Sequence, residues 1–171
     1  MQILLSLLIP IITTYHVNLD NSKKYAFTDT LYVVPLTHQQ YKQADYKLVS
    51  VCELDSNGIE IKSARRILLT QKNKVVASIS LPVPDEEVKN FSVHKVGERA
   101  NSFFIGIDWG GGNYYYEREF NFAFDGKQFV LTSVKMISYV FDTGKTSTRN
   151  KKITPPIPVN KFVMMPFIEN E

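Results

Sequence analysis

The side chains able to make or break bonds are few and scattered. Three histidines (His16, His38 and His94) and one cysteine (Cys52) supply every imidazole and the single thiol of the chain. No two histidines stand at HExxH or H-x-H spacing. One cysteine can form neither an internal disulfide nor a multi-cysteine metal site, so no metal or cofactor is expected. Cys52 lies within the apolar pattern KLVSVCEL, where a small core residue fits better than a nucleophile. A nucleophilic thiol needs a basic partner and access to substrate.

Carboxylates offer a second chemistry. Asp108 beside Trp109, with Glu117 and Glu119 across the following turn, could form the acid pair of a glycoside hydrolase. Glu117 and Glu119 serve equally well as solubilising residues on the polar side of a strand. Gly144-Lys145-Thr146 ends like a phosphate-binding loop, but that motif requires a glycine at position 139, which is Tyr139. The backbone cradle is missing, so nucleotide binding is not expected.

Two stretches are better suited to binding. The first is the loop Trp109-Gly110-Gly111-Gly112-Asn113-Tyr114-Tyr115-Tyr116. Aromatic faces beside a side-chain-free backbone can hold a sugar ring or a partner's loop. Tyr114 and Tyr116 align with the core phase of Phe120, which leaves Trp109 and Tyr115 as the candidate contacts. The second stretch holds Lys145, Arg149, Lys151 and Lys152, with no acid between residues 143 and 152. The whole chain carries only +3, so without these four it would stand at −1. Such a local charge steers toward an acidic protein surface, an anionic glycan or lipid headgroups. It equally describes an edge strand that lysines keep from aggregating. Nucleic acid is not expected, because the charge is modest and the aromatics point inward. Arg65 and Arg118 fall in apolar phases, which demands carbonyls, a carboxylate, or a sheet margin that covers only the stem.

These groups must be positioned by strands. Tyr25 to Val34 and Tyr46 to Leu54 are rich in aromatic and β-branched residues. Asn57-Gly58 signals a two-residue hairpin of type I′, and the return strand from Ile59 to Leu69 would put Ile59, Ile61, Ile67 and Leu69 on one side. Gln71-Lys72-Asn73 turns the chain again before Val75 to Leu81. Phe103, Ile105, Ile107 and Trp109 alternate with other residues, then Tyr114, Tyr116, Phe120, Phe122 and Phe124 oppose Glu117, Glu119 and Asn121. From Gln128 to Phe141 both phases are apolar, and a β-bulge near Lys135 would explain the switch. Helix signals are thin: a capping-box pattern from Thr37 to Gln40, and one turn after Pro84. The fold expected is mostly β, an antiparallel sandwich or open barrel of nine to eleven strands, with at most one or two short helices.

The 171 residues are 44% hydrophobic and 22% charged, with no low-complexity linker, which describes one globular domain over residues 20–171. Residues 1–19 stand apart. The apolar run from Ile3 to Ile12 is too short to span a bilayer, so no transmembrane span is expected, but it has the length of a signal-peptide h-region. It lacks a basic n-region and a small-residue cleavage site, and a buried first strand is the other reading, into which Pro10 fits poorly. A periplasmic or secreted location is expected.

The order Gly110-Gly111-Gly112-Asn113-Tyr114-Tyr115-Tyr116, Phe120 to Phe124, Asp125-Gly126, Phe129 to Leu131, Thr143-Gly144-Lys145 resembles that of small secreted or periplasmic β-rich bacterial proteins. Some immunity proteins against secreted cell-wall-degrading toxins share this style. The resemblance spans residues 103–152 and carries no active site with it. It implies an exported, bacterial setting. With the missing catalytic constellation and the basic hairpin, the expectation is a non-enzymatic protein acting by contact with another protein, as an inhibitor or immunity factor. A small-ligand or cell-wall glycan binding module is the alternative, and a hydrolase ranks last.

Overall fold

The computed structural model describes residues 27–169. The export signal or first strand expected within residues 1–19 lies outside them. Nine strands follow one another: β1 (Phe27–Pro35), β2 (Tyr46–Leu54), β3 (Glu60–Gln71), β4 (Lys74–Ser80), β5 (Ser92–Arg99), β6 (Ser102–Gly111), β7 (Tyr114–Phe124), β8 (Phe129–Val140) and β9 (Lys145–Pro158). Strands β1 to β4 form one sheet and β5 to β9 a second, each in chain order and antiparallel throughout. The two sheets pack as a sandwich.

Alternation builds the layers. Leu48, Ile67, Leu69, Ala77 and Ile79 face inward from the first sheet; Phe103, Ile105, Ile107, Phe120, Phe122, Leu131 and Val134 face them from the second, in one continuous buried cluster. Aromatic rings join the layers. Tyr41 and Tyr46 meet Phe129 edge-on at 5.1 and 5.3 Å between ring centres, the geometry the ring quadrupole favours. Phe162, past the end of β9, closes over Phe120 and Phe122 at 5.1 and 5.2 Å.

Several local expectations are corrected. The Asn57-Gly58 hairpin is not type I′. Only Gly58 has positive φ (+78°), and Asp55 Oδ1 accepts from the N–H groups of Asn57 and Ile59, so an Asp-anchored loop replaces the two-residue turn. Type I′ geometry arises instead at Lys72-Asn73, where both residues have positive φ (48° and 63°) without a glycine. Ile59 belongs to that longer loop and is 63% exposed, not part of the inner row with Ile67 and Leu69. The bulge in β8 falls at Thr132, between the pairs Phe122–Leu131 and Asn121–Ser133, not near Lys135. Leu131 and Val134 then both face the core, while Ile137 and Tyr139 turn to the outer side. No helix grows from Thr37, because its N–H and hydroxyl donate to Glu98 of β5 instead of capping; only a 3-10 turn at Lys42–Ala44 forms.

Candidate binding site

The glycine loop and the basic strand meet at one end of the second sheet. Gly110 has φ of +139°, and a Cβ there would lie 2.3 Å from the Tyr114 carbonyl oxygen, so only glycine fits. Gly112 supplies positive φ (+62°) at the first central position of the β6–β7 turn. Asn113 ties this turn to its neighbour: its carbonyl accepts the Phe141 N–H (2.9 Å) and its Oδ1 the Asp142 N–H (2.7 Å). The β6–β7 and β8–β9 hairpin tips are thereby fixed side by side.

Register then assigns faces. Trp109, Tyr116, Ser138 and Ser147 form one cross-strand row, Tyr114, Val140 and Lys145 the next toward the tip, and Arg118, Met136 and Arg149 the next toward the core. Lys151, opposite Val134, shares this face, whereas Lys152 pairs with Ser133 on the other. Every β9 residue from Lys145 to Lys152 is exposed, including those in the inward phase, so the first sheet does not cover this end. Trp109 is 7% exposed and stacks on Tyr116 at 5.5 Å; Tyr116 stacks on Tyr114 at 6.4 Å, with planes 4° apart. The stack runs from the core to solvent, where Tyr114 is 51% exposed. Core phase therefore did not bury Tyr114, and Trp109 belongs to the interior. Trp109 and Tyr115, the two candidate contacts, lie on opposite faces of the sheet.

Arg118 anchors the stack from below. It is 1% exposed, its guanidinium lies 4.9 Å from the Trp109 ring centre, and it donates to the carbonyls of Glu117 (2.9 Å) and Ile137 (3.3 Å). Burial holds its pKa below the usual arginine value. Arg65, by contrast, is half-buried on the inner strand β3 and paired with Glu60 at 2.8 Å.

The opposite face gathers the acid–base residues. His94 occupies a bulge of β5, between the pairs Val93–Ile107 and Lys95–Gly106. Its ring covers Gly106, where a Cβ would stand 2.9 Å from Nε2. Asp108 Oδ2 lies 3.6 Å from its Nδ1 and Glu117 Oε1 3.6 Å from its Nε2. Asp108 is held by hydroxyls: Ser92 Oγ donates at 2.5 Å and Tyr115 at 3.1 Å. Burial, and then the Asp108 carboxylate, push the Tyr115 phenol up to about 12. Glu119 is taken by Arg99, whose two terminal nitrogens reach it at 2.6 and 3.0 Å. Sequence spacing alone missed this cluster, because His94 joins it only through the β5–β6 register and its bulge. No group of three or more His, Cys, Asp or Glu among the described residues could hold a metal ion. Cys52 is buried within β2.

No protein-family model, curated protein or solved structure matches this chain. The protein is thus defined as a class by its architecture: a two-sheet antiparallel β sandwich whose larger sheet extends past the smaller. No helix among the described residues is long and apolar enough to cross a membrane.

Proposed function

We propose that the protein works by protein–protein contact, and that the uncovered end of the β7–β8–β9 face docks an acidic surface of its partner. The carrying observation is the meeting, on one side of three adjacent strands, of the Tyr114–Tyr116 stack with Lys145, Arg149 and Lys151. Tyrosine and arginine dominate the energetics of protein interfaces, and a row of cations speeds encounter with an acidic partner. The apolar run from Ile3 to Ile12 and the resemblance of residues 103–152 to secreted proteins support an exported setting. In that setting the protein is an inhibitor or immunity factor, and its target a secreted toxin or cell-wall hydrolase with an acidic cleft.

The test is co-purification of the full chain with the product of the neighbouring gene, followed by calorimetry. Arg149→Glu together with Lys145→Glu should raise the dissociation constant at least about tenfold, near 1.4 kcal/mol. Undiminished binding of that double variant would refute the assignment. Polygalacturonate binding as tightly as any protein candidate would reassign the face to an anionic glycan.

A further inference from the structure

Among the described residues, four strands end the two sheets: β1, β4, β5 and β9. A bare edge offers its backbone N–H and C=O groups to any passing strand, and proteins block such edges with charge, proline or bulges. Three edges here carry those blocks. β9 has Lys145, Arg149, Lys151 and Lys152 together with Pro155, Pro156 and Pro158. β5 has Lys95, Glu98 and Arg99 and the bulge at His94. β1 has a register shift between Thr30 and Tyr32 and a terminal Pro35.

β4 has less of this: Lys74 stands at its first position and Pro82 lies just past its end. From Val75 to Leu81 the sequence VVASISL contains no charge, proline or glycine. Its one irregularity falls at Val76, beside the Lys72-Asn73 turn, and leaves Ala77 to Ser80 in regular register with Leu69 to Arg66. A cleft of about 490 Å³ lies along this strand, within the range of about 300–1,000 Å³ typical of ligand sites. Ser78 and Ser80 of β4 form one bank, and residues 160–165 form the other. Val163, on that second bank, is 62% exposed. Ser78 and Ser80 are exposed, and the chain's own 3-10 turn at Val159–Lys161 packs against β4 beside the cleft. Lys161 is the cation of the lining, whereas Glu87, its anion, already accepts the Val83 N–H at 2.8 Å.

We propose that the free edge of β4 and this cleft receive one extended strand of a partner protein. That strand is uncharged where it pairs with Ala77 to Ser80 and presents a carboxylate to Lys161. Backbone hydrogen bonds would supply the affinity and the two banks the selectivity, as in other strand-addition complexes. This surface is separate from the basic face of β9 and does not depend on it.

The test uses the ¹⁵N-labelled full chain and a blocked peptide, acetyl-Thr-Val-Thr-Val-Thr-Glu-amide, titrated while backbone amides are followed by NMR. Shifts and slowed amide exchange should concentrate in residues 76–81 and 161–165. Methylating two peptide nitrogens that face the protein removes two ladder bonds and should weaken binding about tenfold, without any change to the protein's own fold. Lys161→Glu should weaken the Glu-ended peptide about fivefold or more and leave a Gln-ended one nearly unchanged. Equal binding of the methylated peptide, or shifts centred on β9, would overturn the proposal. So would an unperturbed β4 at millimolar peptide, or a self-association that Val76→Lys abolishes. Arg149→Glu should leave the titration as it was, so failure here and failure of the acidic-partner reading are distinguishable.

Discussion

Replacing Glu98 with alanine tests whether one carboxylate fastens the two layers at their β1–β5 side. Glu98 reaches from β5 of the larger sheet into the connection between β1 and β2. There the Thr37 N–H donates to both carboxylate oxygens (2.8 and 2.9 Å), the Thr37 hydroxyl to Oε2 (2.8 Å), the His38 N–H to Oε1 (2.9 Å) and the Tyr41 hydroxyl to Oε1 (2.7 Å). Hydrogen bonds to a charged acceptor contribute about 1.5–3 kcal/mol each. They share one acceptor that is partly open to water, so they do not add. A loss of about 3 kcal/mol is expected for Glu98→Ala. Glu98→Gln should lose about 1–2 kcal/mol, since its amide keeps one acceptor but turns N–H groups toward other donors.

The same site sets an acid response. Burial raises the Glu98 carboxyl, but the hydrogen bonds from Tyr41, Thr37 and His38 outweigh it and hold the group below its ordinary value of 4.5. The unfolded chain therefore takes up this proton at higher pH than the folded one. Its contribution to stability is complete above the ordinary glutamate range and is lost as pH falls through the depressed folded value. Urea unfolding followed by Trp109 fluorescence at neutral pH and near pH 3 would read both effects. Glu98→Ala within about 0.5 kcal/mol of the parent would refute the clamp, as would an undiminished acid slope in Glu98→Gln.

Three further outcomes are expected. Gly110→Ala, which would push a methyl onto the Tyr114 carbonyl at a φ of +139°, should cost about 2–4 kcal/mol by thermal or urea unfolding. Arg118→Ala should leave a hole beneath Trp109 costing about 3 kcal/mol and shift the emission of this single tryptophan, while Arg118→Met should recover most of the stability. Tyr115 has a phenol pKa raised to about 12, so its protonated form contributes stability below about 10 that is lost as pH rises toward 12. Asp108→Asn should bring that ionisation down in an ultraviolet difference titration.

Fold class was legible because period-two order is a property of neighbouring residues. Phe103, Ile105 and Ile107 are buried as their spacing demands, and so are Phe120 and Phe122. The inward phase of Arg118 was legible for the same reason, but not which of carboxylate, carbonyls or sheet margin would receive it; its partners are the Glu117 and Ile137 carbonyls. Alternation could even have separated Lys152 from Lys145, Arg149 and Lys151, since odd and even positions of one strand face opposite ways. What alternation could not reveal was where the opposing layer stops. Tyr114 has the phase of a core residue and half its surface in solvent, because coverage depends on how far the first sheet reaches. The His94 cluster was hidden for a related reason. His94, Asp108 and Glu117 come from three strands, and only the β5 bulge aims the imidazole between the two acids. Asn57-Gly58 went astray differently: the Asp55 carboxylate competed for the turn's N–H groups and won.

The stack of Trp109, Tyr116 and Tyr114 bears on how the basic face would work. Trp109 is locked in the core, Tyr116 lies against it, and Tyr114 lies nearly parallel on Tyr116. The exposed ring is thus already oriented, and little side-chain freedom remains to be lost when a partner covers it. Lys145 and Arg149, on an uncovered edge strand, keep theirs. The two kinds of residue should therefore divide the kinetics of binding. Lys145→Ala and Arg149→Ala should lower the association rate and flatten its dependence on salt, with dissociation nearly unchanged. Tyr114→Ala should leave association within about twofold of the parent and speed dissociation about tenfold or more. Surface plasmon resonance at two ionic strengths separates these cases. A Tyr114→Ala variant that slowed association and left dissociation alone would mean that the ring is not held ready by the tryptophan beneath it.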